Sequence, residues 1–317
     1  MLLQPASFQG IAMTDLARIV AEVTEEITAN AAEIERAADA GHDYPPDWFG
    51  MAVATPDGGL FHGGYSHIRF PLQSIAKVFA LELALEACGD KVFKRVGREP
   101  SGDPFNSIVD LERNKGIPRN PFINAGALVV CDILVEHKGD DASARAVVEF
   151  VREQARLADV ILNDDVLESG RKGGDLNRAM MSFAKHHGNL HCDIDEVMEA
   201  YVHQCAIEID AKSLARTGLF LTRTARTGDA EGDKRAKRTR RLLSLMTTSG
   251  QYDGSGDFAY RVGLPAKSGV GGGILAIVPQ VASIAVWSNN LDRQGNSILG
   301  VRALELLADK ADWSVFG

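Results

Sequence analysis

Strand-like periodicity occurs only near the two ends of this chain, and a long run of helix-period sequence separates the two stretches. Residues 50–55 and 60–62 flank Pro56-Asp57-Gly58-Gly59 and predict a hairpin. Residues 266–268, 274–279 and 281–288 predict three more strands with tight turns. Between them, residues 125–137, 142–158, 178–187, 194–207, 212–224 and 234–246 all carry helical spacing. An amphipathic helix is expected over 14–40, with Ile19, Val20, Val23, Ile27, Ala31 and Ile34 on one face. Another is expected over 291–310, with Leu299, Val301, Leu304, Leu306 and Leu307 apolar. Neither strand group can bury both of its faces alone. The economical fold is α/β: one mainly antiparallel sheet drawn from both ends and flanked by the first and last helices, beside an all-helical lobe. The expected division is 1–77 with 249–317 against 78–248, with a cleft between the lobes.

Bulk properties narrow the function. The 317 residues are 45% apolar and 24% charged, ordinary values for a globular chain. A net charge of −9 argues against general affinity for nucleic acid. No apolar run approaches the ~20 residues of a membrane span. Met1-Leu2-Leu3-Gln4-Pro5 lacks the basic flank and apolar core of a signal peptide. Cys88, Cys131, Cys192 and Cys205 show no CxxC spacing and read as reduced thiols, so a cytoplasmic location is expected.

Two short motifs carry chemistry. Ser74-Ile75-Ala76-Lys77 follows Phe70-Pro71-Leu72 and opens a strongly apolar helix. Lys267-Ser268-Gly269 leads into Val270-Gly271-Gly272-Gly273. Residues three apart on a helix share a face, so Lys77 can take the proton of Ser74. A free lysine, at a pKa of about 10.4, must drop roughly three units to serve near pH 7, or about 4 kcal/mol. Burial, a helix N-terminus and a second cation, Lys267, are the expected sources. Ser169/Lys172 and Ser182/Lys185 repeat the spacing. The first of these falls in a glycine-rich stretch expected to be a loop, and the second near a helix end. The glycines after Ser268 predict close backbone approach to a ligand.

These motifs resemble the β-lactamase/penicillin-binding-protein superfamily. Its Ser-x-Asn or Tyr-x-Asn motif, however, is missing between Ser74 and Lys267. The chain carries instead Gly97-Arg98-Glu99-Pro100-Ser101-Gly102, Phe105-Asn106, Asn120-Pro121-Phe122-Ile123-Asn124-Ala125-Gly126-Ala127, Tyr201-Val202-His203-Gln204-Cys205, Gly250-Gln251-Tyr252-Asp253 and the block from Val262 to Ile274. Together these resemble the serine-dependent glutaminases over roughly residues 48–307. The resemblance implies hydrolysis of the L-glutamine side-chain amide without a cofactor, by a homodimer or homotetramer. It implies Ser74 as nucleophile, Lys77 as base and Tyr252 as proton relay. It places substrate-binding roles on Asn124, Glu168, Asn177, Tyr201, Val270 (through its backbone) and Tyr44, with Lys267 and Ser268 in support. The chain departs from the family pattern in two places. Glu168-Ser169 is reversed in order and lies nine residues before Asn177, where the family has seven. The turn holding Tyr44-Pro45-Pro46 is also shorter than usual.

Blander readings stand beside these. Asn124 could cap the helix beginning near Ala125, and Tyr201 could be a core residue. Gly269 to Gly273 mimics a dinucleotide loop, but a strand follows where a helix is required. His186, His187, His191 and Cys192 lack the second cluster that a zinc site needs, so no metal is expected. The basic run from Lys234 to Arg241 reads as a solvated helix face or subunit contact. Two functional alternatives remain: another Ser-x-x-Lys hydrolase, of β-lactamase or esterase type, or a non-catalytic amino-acid-binding relative.

Overall fold

The computed structural model describes residues 13–38, 48–102 and 106–316. Among the described residues, eight strands form two sheets. The larger joins β1 (Phe49–Ala54), β2 (Leu60–Gly64), β6 (Ala266–Ser268), β7 (Gly273–Val278) and β8 (Ala282–Ser288). Its order is β2-β1-β8-β7-β6, every pair antiparallel. The two ends of the chain thus build one sheet, as the periodicity predicts.

Alternation along the strands gives each face its own core. Met51, Val53, Ile274, Ala276, Ile284 and Val286 pack against α1 (Met13–Ala37) and α12 (Ile298–Ala311). Ala52, Ala54, Leu275, Ile277, Ala285 and Trp287 face the opposite way, into a cluster shared with helices from the middle of the chain. Those helices are α2 (Ala76–Cys88), α4 (Asn124–Lys138), α5 (Asp140–Ala155), α9 (Ala211–Thr217) and α10 (Ala230–Ser249). This cluster crosses the expected boundary at residues 77 and 78. A third cluster joins α3 (Val109–Arg113), α4, α7 (Asp175–His186) and α8 (Ile194–Ala206). The remaining helices are α6 (Asp164–Lys172) and α11 (Ser255–Val262).

Helix α2 is apolar nearly all round because it lies inside. Its two buried ionisable side chains are Lys77 and Glu82. Glu82 accepts a 2.7 Å bond from Arg238 Nε on α10, which ties the two helices together.

Three features differ from expectation. A second sheet, in the order β3-β5-β4, links β3 (Arg69–Pro71), β4 (Ile161–Leu162) and β5 (Ile207–Asp210). It pairs Phe70 with Ile209, and Leu72 N–H donates to the Ile207 carbonyl at 2.8 Å. The glycine-rich stretch expected as a loop is the end of α6, whose N-cap Asn163 accepts from Val166 N–H. The last helix starts at Ile298, capped by Ser297. Ahead of it, Asp292 Oδ1 accepts the amides of Gln294 and Asn296 and holds a turn that a helix would break.

Candidate active site

Ser74 stands on a 3-10 turn, Gln73–Ile75, that runs directly into α2. Its N–H lies in a first turn, where amides have no helical acceptor. Gln73 has a φ of +48° and Tyr252 one of +51°. Both are non-glycine residues in the left-handed region, a strain of order 1–3 kcal/mol each that the surroundings must hold. The two strained residues serve one spot: the Tyr252 hydroxyl meets the Ser74 side chain and the backbone amide of Val270.

Lys77 is buried one turn beyond Ser74. Its Nζ donates to Asn124 Oδ1 at 2.7 Å and to the Phe122 carbonyl at 3.2 Å. An ammonium has three protons, so two acceptors leave one direction open. Burial lowers the Lys77 pKa to about 8. No carboxylate contributes to that shift, and the Cys205 and Cys131 thiols oppose it only in part. Lys267 is also buried, with Nζ 4.5 Å from the centre of the Tyr252 ring. It donates to the carbonyls of Gly250 at 3.1 Å and Ser268 at 2.5 Å. Burial first, and the Lys77 charge second, hold Lys267 well below the usual lysine range. Lys77 therefore owes its shift to desolvation, and its charge in turn disfavours a charge on Lys267. Tyr252 is pushed the other way, up to about 12, by burial.

Asn124 is the hub of this network. It opens α4 without capping it. Its Oδ1 also accepts from Tyr201 Oη at 3.4 Å, and its Nδ2 donates to Asn177 Oδ1 at 3.4 Å. Tyr201 in turn meets the Cys205 thiol. The structure thus brings together Ser74, Lys77, Tyr252 and Lys267 on one side, and Asn124, Asn177 and Tyr201 on the other. Sequence reading assigned no role to Asn120, which shapes this corner. Its Oδ1 accepts the amides of Phe122 and Ile123, at 2.9 and 3.1 Å, and so aims the Phe122 carbonyl at Lys77. An asparagine before a proline is the available signal for such a turn.

Two glycines fix the opposite wall. A Cβ on Gly271 would lie 2.2 Å from the Pro71 carbonyl oxygen, and one on Gly269 2.6 Å from that of Leu72. The close approach is therefore to the chain's own backbone beside Ser74, where the sequence suggested a ligand. It sets Val270, itself exposed, against Tyr252. Ser268 is fully buried beneath.

Two expected anchors are not in this network. Glu168 lies on the exposed face of α6, paired with Lys172. The nearby carboxylates Asp164, Asp165 and Asp175 are exposed as well. Tyr44 lies outside the described residues. Elsewhere, ligand atoms of Asp132, Glu136 and His191 come within 4.8 Å of one another. Arg95 pairs with both carboxylates, and Asp132 also accepts the amides of His191 and Cys192. That corner is a hydrogen-bond junction that ties residues 189–192 to α4.

A family model described as Glutaminase matches residues 38–316. The chain belongs to the glutaminase family. The glutaminase of Methylobacterium radiotolerans is 46% identical over 96% of this chain and its own full length. The solved structure of the probable glutaminase ybaS superposes with a TM-score of 0.83 at 33% identity, over 96% of this chain and 99% of that one. A Bacillus subtilis glutaminase, YbgJ, has a TM-score of 0.75 at 27% identity, over 92% of this chain and 99% of its own. That structure is a covalent complex with 5-oxo-L-norleucine, formed by reaction with 6-diazo-5-oxo-L-norleucine. Family membership makes the chain an amidohydrolase with the β-lactamase-like glutaminase fold. Among the described residues, no helix is long and apolar enough to cross a membrane.

Proposed function

We propose that this chain hydrolyses L-glutamine to L-glutamate and ammonia through an ester on Ser74. The observation that carries the reading is a buried lysine with a pKa near 8, one helical turn from a serine whose hydroxyl meets Tyr252. At pH 7 about one Lys77 in ten is neutral and able to accept a proton. Tyr252 stays protonated and passes protons on without becoming the base. Ser74 Oγ attacks the side-chain amide carbon as its proton moves to Lys77, directly or across Tyr252. The oxyanion is held by the N–H groups of Ser74 and Val270. The proton then goes to the departing nitrogen, ammonia leaves, and water attacks the ester to give glutamate and free Ser74.

Asn124, Asn177 and Tyr201 supply the polar contacts for the α groups of the substrate. A buried polar group left without its partner costs about 1–3 kcal/mol, so amides lacking those groups are rejected. Glu168 can meet the α-ammonium only by releasing Lys172, and an exposed pair of this kind is worth about 0–1 kcal/mol. Homodimeric or homotetrameric assembly is part of the proposal and is read by light scattering.

The test is labelling by 6-diazo-5-oxo-L-norleucine together with ammonia release. Mass spectrometry should find one adduct, on the Ser74 peptide, and turnover should fall as it forms. An adduct of equal yield on Ser74→Ala would overturn the nucleophile assignment. Hydrolysis of nitrocefin in place of glutamine would favour a β-lactamase-like reading. The absence of either activity would favour an amino-acid-binding role.

A further inference from the structure

The basic run on α10 borders a groove remote from Ser74. Two cavities, of about 450 and 220 Å³, share Asp90 and Arg241 and lie between α10 and the segment after α2. Cations line both cavities, and the aromatic ring is in the wider one. The wider one has Phe93 and Leu245 beside Lys94, Arg98 and Arg241. The narrower one has Leu85 beside Lys234, Lys237, Arg238 and Arg241. Lys234, Lys237, Arg241, Leu245 and Thr248 follow one another at helical spacing, so they form one stripe of α10.

The acidic groups here are already engaged. Asp90 pairs with Arg241, and Glu82 and Glu86 pair with Arg238. Lys94, Lys234 and Lys237 have no carboxylate partner among the described residues, and Arg98 lies over the Phe93 ring at 5.4 Å. In a chain of net charge −9, four uncompensated cations around one groove focus a local positive field. A solvated face would not need an apolar end to the same cavity.

We propose that this groove binds a small molecule with a flat apolar body and a polyanionic tail, of the nucleotide class. The body lies in the wider cavity against Phe93, Leu245 and the Arg98 guanidinium that covers the Phe93 ring, and the tail runs toward Lys234 and Lys237.

The test is calorimetric titration of the full-length protein with ATP in EDTA at low salt. Adenosine serves as the body alone and inorganic triphosphate as the tail alone. The expected result is saturable one-to-one binding by ATP, tighter than by either part, and weakened by added salt. Lys234→Gln with Lys237→Gln should weaken ATP at least ~10-fold, the loss expected from two charge-assisted contacts. Glutamine turnover and Tm should be unchanged in that variant. Three outcomes overturn the proposal: no saturation at millimolar ATP, equal binding by the double variant, or triphosphate binding as tightly as ATP.

Discussion

The two walls of the proposed cleft are built to different standards. On the wall proposed as catalytic, Lys77 is 1% exposed and Lys267 0%, and each donates to two named acceptors. On the α6 side, where a substrate anchor is expected, the Glu168 side chain lies outside the Asn124 network, 62% exposed and bonded to a surface lysine on its own helix. Helix α2 is fixed by the main core, whereas α6 has no fully buried residue. Proton-transfer groups need positions good to a fraction of an ångström and pKa values set by dehydration. A carboxylate that meets an ammonium tolerates a mobile support. The difference teaches that the surroundings of Ser74 are over-determined by packing, whereas the expected anchor at Glu168 sits on a surface that can be rebuilt.

The largest expected effect comes from breaking the buried side. Lys77→Met should lower kcat by about 10³-fold or more while circular dichroism stays native. A variant retaining a tenth of the activity would move the base elsewhere. Tyr252→Phe should come next, lowering kcat by roughly 10²-fold with little change in KM, because it removes a relay and leaves the anchors. A rise in KM at constant kcat would make Tyr252 a substrate ligand.

The pH profile probes the same wall without mutation. Turnover should rise with pH through about 8 as Lys77 loses its proton. Stability should rise too. Unfolded Lys77 keeps its proton up to about 10.4 while the folded one releases it near 8, so the unfolded state binds more protons in between. The burial penalty, about 3 kcal/mol, is full below 8 and is relieved as pH climbs through that window. Lys267, held below the usual lysine range by burial, contributes with the same sign. Chemical denaturation at pH 7.5 and 9.5 measures it, and a decrease would contradict the burial argument.

On the α6 side, Glu168→Gln should raise KM for glutamine about tenfold, leave kcat nearly intact, and spare analogues without the α-amine. If Glu168→Gln behaves as wild type and Asp164→Asn or Asp175→Asn carries the loss, a different carboxylate faces the cleft. The smallest effect belongs to Gln73→Gly. It relieves the positive φ at the cost of a looser unfolded chain, for a net gain of about 1 kcal/mol or less and a Tm up by a few degrees at most. A large fall in Tm would mean that the Gln73 side chain anchors the turn.

What could be read from the sequence follows the same divide. Ser74, Lys77, Asn124, Tyr201 and Lys267 lie in elements whose period and motifs are strong, and the structure groups them. The small sheet escaped because β4 has two residues and β3 three, too short to show a period, and β5 is flanked by helices at both ends. The start of α6 was legible: Asn163 followed by Asp164 and Asp165 is a cap with acidic first-turn residues. Gly170, Gly173 and Gly174 outweighed that signal. Ser297 likewise marks the start of α12. The exposure of Glu168 has no sequence signature, since it depends on how α6 lies on α8.

The Gly269–Gly271 turn rests on carbonyls at Pro71 and Leu72, so residues nearly two hundred positions apart must meet before Ser74 is held in place. At about 5–20 residues per second, a ribosome delivers the serine roughly ten to forty seconds before the turn that completes its surroundings. Throughout that interval the nascent chain carries Ser74 and Lys77 without the turn that sets Val270 against Tyr252.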